Sequence, residues 1–130
     1  MLGDAECEEG SIWEAIFFAA EQNLENVICI VDRNRLSVTR VMEESVIFND
    51  FSKKMELFGW ECLEIDGHNF HEIYEALSKS EVAKKPTMIL ANTIKGKGIS
   101  FMENNTRWHH GIPSDNEVEL ARSELNLDKI

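Results

Sequence analysis

The chain has 130 residues, room for one domain, and sets 24 acidic against 13 basic residues for a formal net charge of −11. That balance opposes binding to nucleic acid, which needs a basic surface to neutralise phosphates, and opposes adsorption to anionic membranes. With no apolar run near the roughly 20 residues of a membrane span and no signal-peptide pattern, the expected location is cytoplasmic.

In chain order, Met1 and Leu2 read as the stub of a strand that stops at Gly3-Asp4. Ser11 followed by Glu14 has capping-box spacing and predicts a helix to about Gln22. Its apolar face is Ile12, Ala15, Ile16, Ala19 and Ala20, widened by Trp13, Phe17 and Phe18, which predicts a helix covered on most sides. Residues 27–32, VICIVD, read as a strand buried on both faces, as in parallel sheets. Residues 33–48 lack periodicity and read as a long loop. Asn49 or Asp50 then caps a short helix ending at Phe58, with Gly59 as its left-handed cap. WECLEI, residues 60–65, alternates as a strand does and stops at the Asp66-Gly67 turn. A helix from His71 to Lys79 turns Ile73, Tyr74, Ala76 and Leu77 inward. Pro86 precedes TMILANTI, a second buried strand, and Ser114 with Glu117 caps a last helix over 116–125. Trp13, Trp60 and Phe101 are expected in the core. Cys7, Cys29 and Cys62 form no CxxC pair and are expected reduced and mostly buried.

Alternating strands and helices predict an α/β fold: a parallel sheet with flanking helices and right-handed crossovers. Ligands of such sheets bind beyond the carboxyl ends of the strands. Three of those ends carry polar residues: Gly3-Asp4, Asp32-Arg33-Asn34 and Lys95-Gly96-Lys97-Gly98. Asp4 and Asn34 are oxygen donors of the kind Mg²⁺ shares with phosphate, and Gly3 and Ala5 let backbone approach a diphosphate. The helix N-terminus nearby adds partial positive charge. Asp and Asn also follow strands to make turns, so spacing alone leaves both readings open.

The segments GDAECEEGSIWEA and NVICIVDRNRL resemble the thiamine-diphosphate signature, which runs from a GDG to an Asn-containing turn. FGWECLEIDGH, KKPTMILANTIKGKGISFMENN and WHHGIP extend the resemblance to transketolase, over essentially the whole chain. The likeness is to the N-terminal subunit of split bacterial transketolases, and within it to the second half of the diphosphate-binding domain. By position it implies Asp4, the Asn34 side chain and the Leu36 backbone carbonyl as ligands of Mg²⁺, or of Ca²⁺ or Mn²⁺. Ala5 would contact the diphosphate of thiamine diphosphate, where the family usually has Gly. Glu9 and Glu14 resemble acids of the family's subunit interface, although Glu14 also fits the capping box. His110 resembles the histidine that contacts diphosphate and lies near the sugar; counting from Trp108 makes His109 the match instead. Such a histidine suits donation to phosphate or proton transfer. Lys95 resembles a lysine near the cofactor, while a solvated loop lysine is its simpler role. Glu6 and Glu8 are expected to be solvated, His68 and His71 structural, and Asp32 and Arg33 to serve the turn.

The activity implied is transfer of a two-carbon ketol unit from a ketose phosphate to an aldose phosphate, with the cofactor as electron sink. Nothing here resembles the family's pyrimidine-binding domain or the first half of its diphosphate domain. Complementary chains in an oligomer are therefore the expected partners, with sugar phosphates as substrates. A deoxyxylulose-phosphate synthase is a related alternative. A scaffold or regulatory remnant without turnover is another, suggested by Ala5 and the missing half.

Overall fold

The computed structural model describes residues 1–37 and 45–127. Residues 38–44, most of the expected long loop, lie outside the described residues. The elements are β1 (Leu2–Gly3), α1 (Gly10–Glu21), β2 (Ile28–Arg33), α2 (Phe51–Leu57), β3 (Glu61–Asp66), α3 (Phe70–Glu81), β4 (Thr87–Asn92) and α4 (Asp115–Glu124), with 3-10 turns at Ala5–Glu8 and Thr106–His109. The four strands form one parallel sheet in the order β1-β2-β4-β3. The parallel α/β architecture expected from the sequence is the one found.

The register aligns the strand ends that matter: Gly3 pairs with Asp32, Arg33 with Asn92, and Asp66 also with Asn92. Polar residues after each strand are thereby collected along one rim. Gly67 in the turn after β3 is required by close packing, since a Cβ there would sit 2.5 Å from the Thr93 methyl.

One face of the sheet is closed within the chain. Val31, Met88 and Leu90 meet Ile16 and Ala19 of α1, Phe51 and Met55 of α2, and Trp60. The indole Nε1 of Trp60 donates to the Ile16 carbonyl at 2.9 Å, satisfying a buried polar group in that core. Cys7 belongs to the same cluster, with Cys29 and Cys62 partly buried against it, and all three thiols are free.

Several local expectations need correction. The Ser11–Glu14 capping box does not form. Asp4 caps the 3-10 turn Ala5–Glu8, which feeds directly into α1 at Gly10 with Glu9 as N-cap, so Ser11 already lies inside the helix. Nor is α1 covered on most sides: Phe17 and Phe18 are 51% and 62% exposed. Strand β2 is buried only at Val31, so it is not covered on both faces. Tyr74 faces outward rather than in, Leu77 lines a groove over the sheet with Ile65 and Ile89 at 37% exposure, and the buried residues of α3 are Ala76 and Ser80. Phe101 packs on Trp108 at 5.2 Å between ring centroids, outside the main core. Gly59 does adopt the left-handed conformation, at φ +92°. The Ser114–Glu117 capping box forms as expected.

Candidate functional site

At the carboxyl ends of β1 and β2 lies a concavity of about 580 Å³, lined by Gly3, Asp4, Ala5, Glu6, Glu8, Asn34, Leu36, Ser37, Lys95 and His109. Asp4 is part of that lining and is 2% exposed. Its Oδ1 accepts from the Ala5 amide at 2.8 Å and its Oδ2 from the Arg35 amide at 2.6 Å. Arg35 presents that amide because its backbone is left-handed, at φ +64°.

Burial pushes the Asp4 carboxyl above its usual value; the two backbone amides oppose the shift, Asp32 adds to it and Lys95 lowers it. A desolvated carboxylate held by two amide dipoles is short of positive charge, which a divalent cation supplies. Asn34 Oδ1 accepts from the Leu36 amide at 3.0 Å, an Asx turn that fixes both residues at the wall. The donor set of carboxylate, side-chain amide and backbone carbonyl consists of hard oxygens and fits Mg²⁺ or Ca²⁺. Among the described residues no three His, Cys, Asp or Glu side chains converge on a point, so a metal here depends on the amide and carbonyl oxygens.

Ala5 takes its place in the right-handed 3-10 turn and is not among the residues with positive φ. A methyl group there is compatible with the backbone, which removes the conformational objection to Ala in place of Gly. Lys95 is carried in by a loop that doubles back on itself. The Asn104 amide donates to the Lys95 carbonyl at 3.0 Å, and a Cβ at Gly96, where φ is +74°, would strike the Met102 carbonyl at 2.6 Å. The same loop anchors Trp108, whose Nε1 donates to the Phe101 carbonyl at 2.9 Å, just before the two histidines.

His109 lines the concavity, whereas His110 is absent from its wall and meets the His109 ring edge-on at 4.7 Å. Glu9 and Glu14 are exposed at the start of α1 and line no part of the site. His68 is tied down structurally, its Nε2 accepting from the Ile94 amide at 2.8 Å. His71 is an exposed partner of Glu75 at 3.4 Å. Asp32 accepts from the Thr93 hydroxyl, and Arg33 lies 3.6 Å from Glu64.

Glu6 and Glu8 are exposed to solvent as expected, and in addition both line the site and each is hydrogen-bonded. Glu6 Oε2 accepts from the Gly3 amide at 2.5 Å and Glu8 Oε1 from the Ser45 hydroxyl at 3.1 Å. Their alternation around buried Cys7 was the available signal, because in a 3-10 turn Glu6 lies three residues from the Gly3 amide. Ser37 had no signal in the sequence.

Fold and site together define a parallel α/β domain with a cleft of about 580 Å³ at its strand ends that gathers Asp4, Asn34, Lys95 and His109. The family described as "Transketolase, thiamine diphosphate binding domain" matches residues 1–129, and the chain belongs to it. It is 40% identical over 125 residues to one of the subunits of the apulose-4-phosphate transketolase of Actinobacillus succinogenes, covering 96% of this chain and 45% of that protein. It is also 40% identical over 129 residues to the 6-deoxy-6-sulfo-D-fructose transketolase subunit SqwG of Clostridium sp. strain MSTE9, covering 98% and 47%. The transketolase of Campylobacter jejuni superposes with a TM-score of 0.87 at 30% identity, over 96% of this chain and 20% of that one. The chain thus spans less than half the length of the curated relatives it matches. Among the described residues no helix is long and apolar enough to cross a membrane.

Proposed function

We propose that this chain is the second half of the thiamine-diphosphate-binding domain of a transketolase-type transferase, working with complementary chains in a cytoplasmic oligomer. The observation that carries the reading is the convergence of Asp4, Ala5, Asn34, Leu36, Lys95 and His109 on one cleft from four separate stretches of sequence. Asp4, the Asn34 side chain and the Leu36 carbonyl would hold Mg²⁺, and the backbone at Ala5 would approach the diphosphate. When bound, thiamine diphosphate supplies an electron sink for breaking and making the carbon–carbon bond of a two-carbon ketol unit.

The chain's own residues have simpler tasks. Asp4 contributes the compensating negative charge for the metal, and its two amide partners fix the direction of its oxygens. Lys95 offers a point charge to phosphate. His109, exposed at the wall, can donate to a phosphate oxygen or move a proton at the edge facing the sugar. Position in the cleft favours His109 over His110 for this role. Glu9 and Glu14, exposed and outside the cleft, are free to face a second subunit. Donor and acceptor are a ketose phosphate and an aldose phosphate. Relatives named transketolase at 40% identity support this reading over a deoxyxylulose-phosphate synthase. The backbone at Ala5 removes one reason for preferring a non-catalytic scaffold.

Titration calorimetry with thiamine diphosphate and Mg²⁺, on the chain combined with its complementary chains, tests the proposal. Binding is expected and should disappear with Asp4→Ala or Asn34→Ala. Absence of binding in every combination would refute the catalytic reading and favour the scaffold. In the active assembly, His109→Ala is expected to lower kcat by about 10²–10⁴-fold, the range for loss of a general acid–base group, and His110→Ala by far less. The reverse order would move the role to His110.

A further inference from the structure

A second concavity, of about 520 Å³, adjoins the cleft and shares Asn34 and Lys95 with it, with His68, Thr93 and Lys97 among its other walls. Its construction turns on how β4 ends. The Asn92 carbonyl accepts from the Gly67 amide at 2.8 Å, on the β3 side. The Thr93 amide then donates to the Arg33 carbonyl at 3.1 Å, on the β2 side. Backbone groups alternate sides along a strand, so the next amide, that of Ile94, faces β3 again. Strand β3 has by then stopped at Asp66 and turned at Gly67, so the ladder offers that amide no carbonyl. A backbone donor still needs a partner. His68 supplies it, its Nε2 accepting from the Ile94 amide at 2.8 Å. A backbone N–H can only donate, so Nε2 is unprotonated and the neutral ring carries its proton on Nδ1.

The imidazole is anchored from both sides in the chain. The His68 amide donates to Asp66 Oδ1 at 2.9 Å, and the next residue, Asn69, caps α3 by accepting from the His71 and Glu72 amides. Glu72 Oε2 in turn accepts from the Asp66 amide at 2.8 Å. Beyond Ile94 the chain closes on itself. The Lys97 amide donates to the Ile94 carbonyl at 3.2 Å, and the Asn104 amide to the Lys95 carbonyl at 3.0 Å. The direction in which Lys95 leaves the sheet is therefore set at Ile94. We propose that His68 is the positioning residue for Lys95, holding the start of its loop so that Lys95 stands at the wall of the cleft. The inference rests on the functional reading above, in which Lys95 meets phosphate, and adds the residue that aims it.

Three variants separate this role from simple support of the turn. His68→Leu keeps bulk without an acceptor, His68→Gln restores a side-chain oxygen that can accept, and His71→Leu alters the exposed histidine on α3. In the natural chain, long-range proton–nitrogen correlation by NMR should show an unprotonated Nε2 on His68. Exchange of the Ile94 amide should quicken about two- to tenfold in His68→Leu, the loss of one hydrogen bond. It should return toward the natural rate in His68→Gln and stay at that rate in His71→Leu. In the assembly with complementary chains, His68→Leu should weaken thiamine-diphosphate affinity by a similar factor, and His68→Gln by less. Added to Lys95→Ala, His68→Leu should weaken affinity no further, because without Lys95 there is nothing for His68 to aim. A protonated Nε2, Ile94 exchange indifferent to His68→Leu, or additive effects of the two substitutions would each overturn the proposal. Cofactor binding that is indifferent to His68→Leu rejects the positioning role alone. No cofactor binding in any combination, with Ile94 exchange still governed by His68, rejects the functional reading and leaves the hold on the loop in place.

Discussion

The two faces of the sheet are built from the same strands and are unequally covered, chiefly over β2. On the α1–α2 face, Val31, Met88 and Leu90 are at most 1% exposed and Met55 is fully buried. On the α3 face, Ile89 and Ala91 of β4 are also buried, at 2% and 7%, but they floor a groove, and Ile28 of β2 is 37% exposed. Side chains alternate across a strand, so one run of apolar residues supplies both faces. What differs is the covering layer. Two helices and Trp60 cover the first face from within the chain, and a single helix covers half of the second. Stability is therefore expected to reside mainly on the first side.

Thiol chemistry should show the largest contrast with the unfolded chain. Burial pushes the Cys7 thiol up to about 12, with Cys29, Asp4 and Glu6 adding to the shift. At pH 8 its thiolate is scarce, so iodoacetamide should modify Cys7 on the order of a thousandfold more slowly in the folded than in the denatured protein. The rate should rise about tenfold per pH unit, and fast modification would mean that the closed face opens readily. Packing comes next. Met55→Ala should destabilise by about 2–5 kcal/mol in urea unfolding, because the cavity lies in a core with nowhere to collapse. Leu77→Ala, at 37% exposure across the sheet, should lower stability by only about 1 kcal/mol. Equal losses would dissolve the distinction between the faces. Trp60→Phe removes the donor to the Ile16 carbonyl while keeping most of the ring, and should destabilise by about 1–3 kcal/mol.

The sequence carried the strands and their order of appearance well, because apolar runs punctuated by Asp-Gly and Pro are strong local signals. Ser114–Glu117 was legible for the same reason, being a local motif at an exposed helix start. Ser11–Glu14 has the same spacing and failed, because the chain ahead of it was already helical and capped by Asp4. Apolar patterning marked Phe17, Ile30 and Tyr74 as residues to be covered but could not say what covers them; burial depends on neighbours beyond the element. In the site, Asp4, Asn34 and Lys95 could be placed because each follows a strand. Choosing between His109 and His110 depends on the path of the loop after Phe101, which adjacent residues in a sequence do not specify. Glu6 and Glu8 are solvated as read, but their place at the wall was not legible because the 3-10 turn that brings them there has no strong composition signal.

The most direct test of the Asp4 site uses Mn²⁺ as a paramagnetic stand-in for Mg²⁺. Electron paramagnetic resonance of the assembled protein with thiamine diphosphate should show bound Mn²⁺ for the natural chain. It should show only free ion for Asp4→Ala with an unchanged far-ultraviolet circular dichroism spectrum. An equal bound signal from both proteins would contradict the placement of the metal and diphosphate at the ends of β1 and β2.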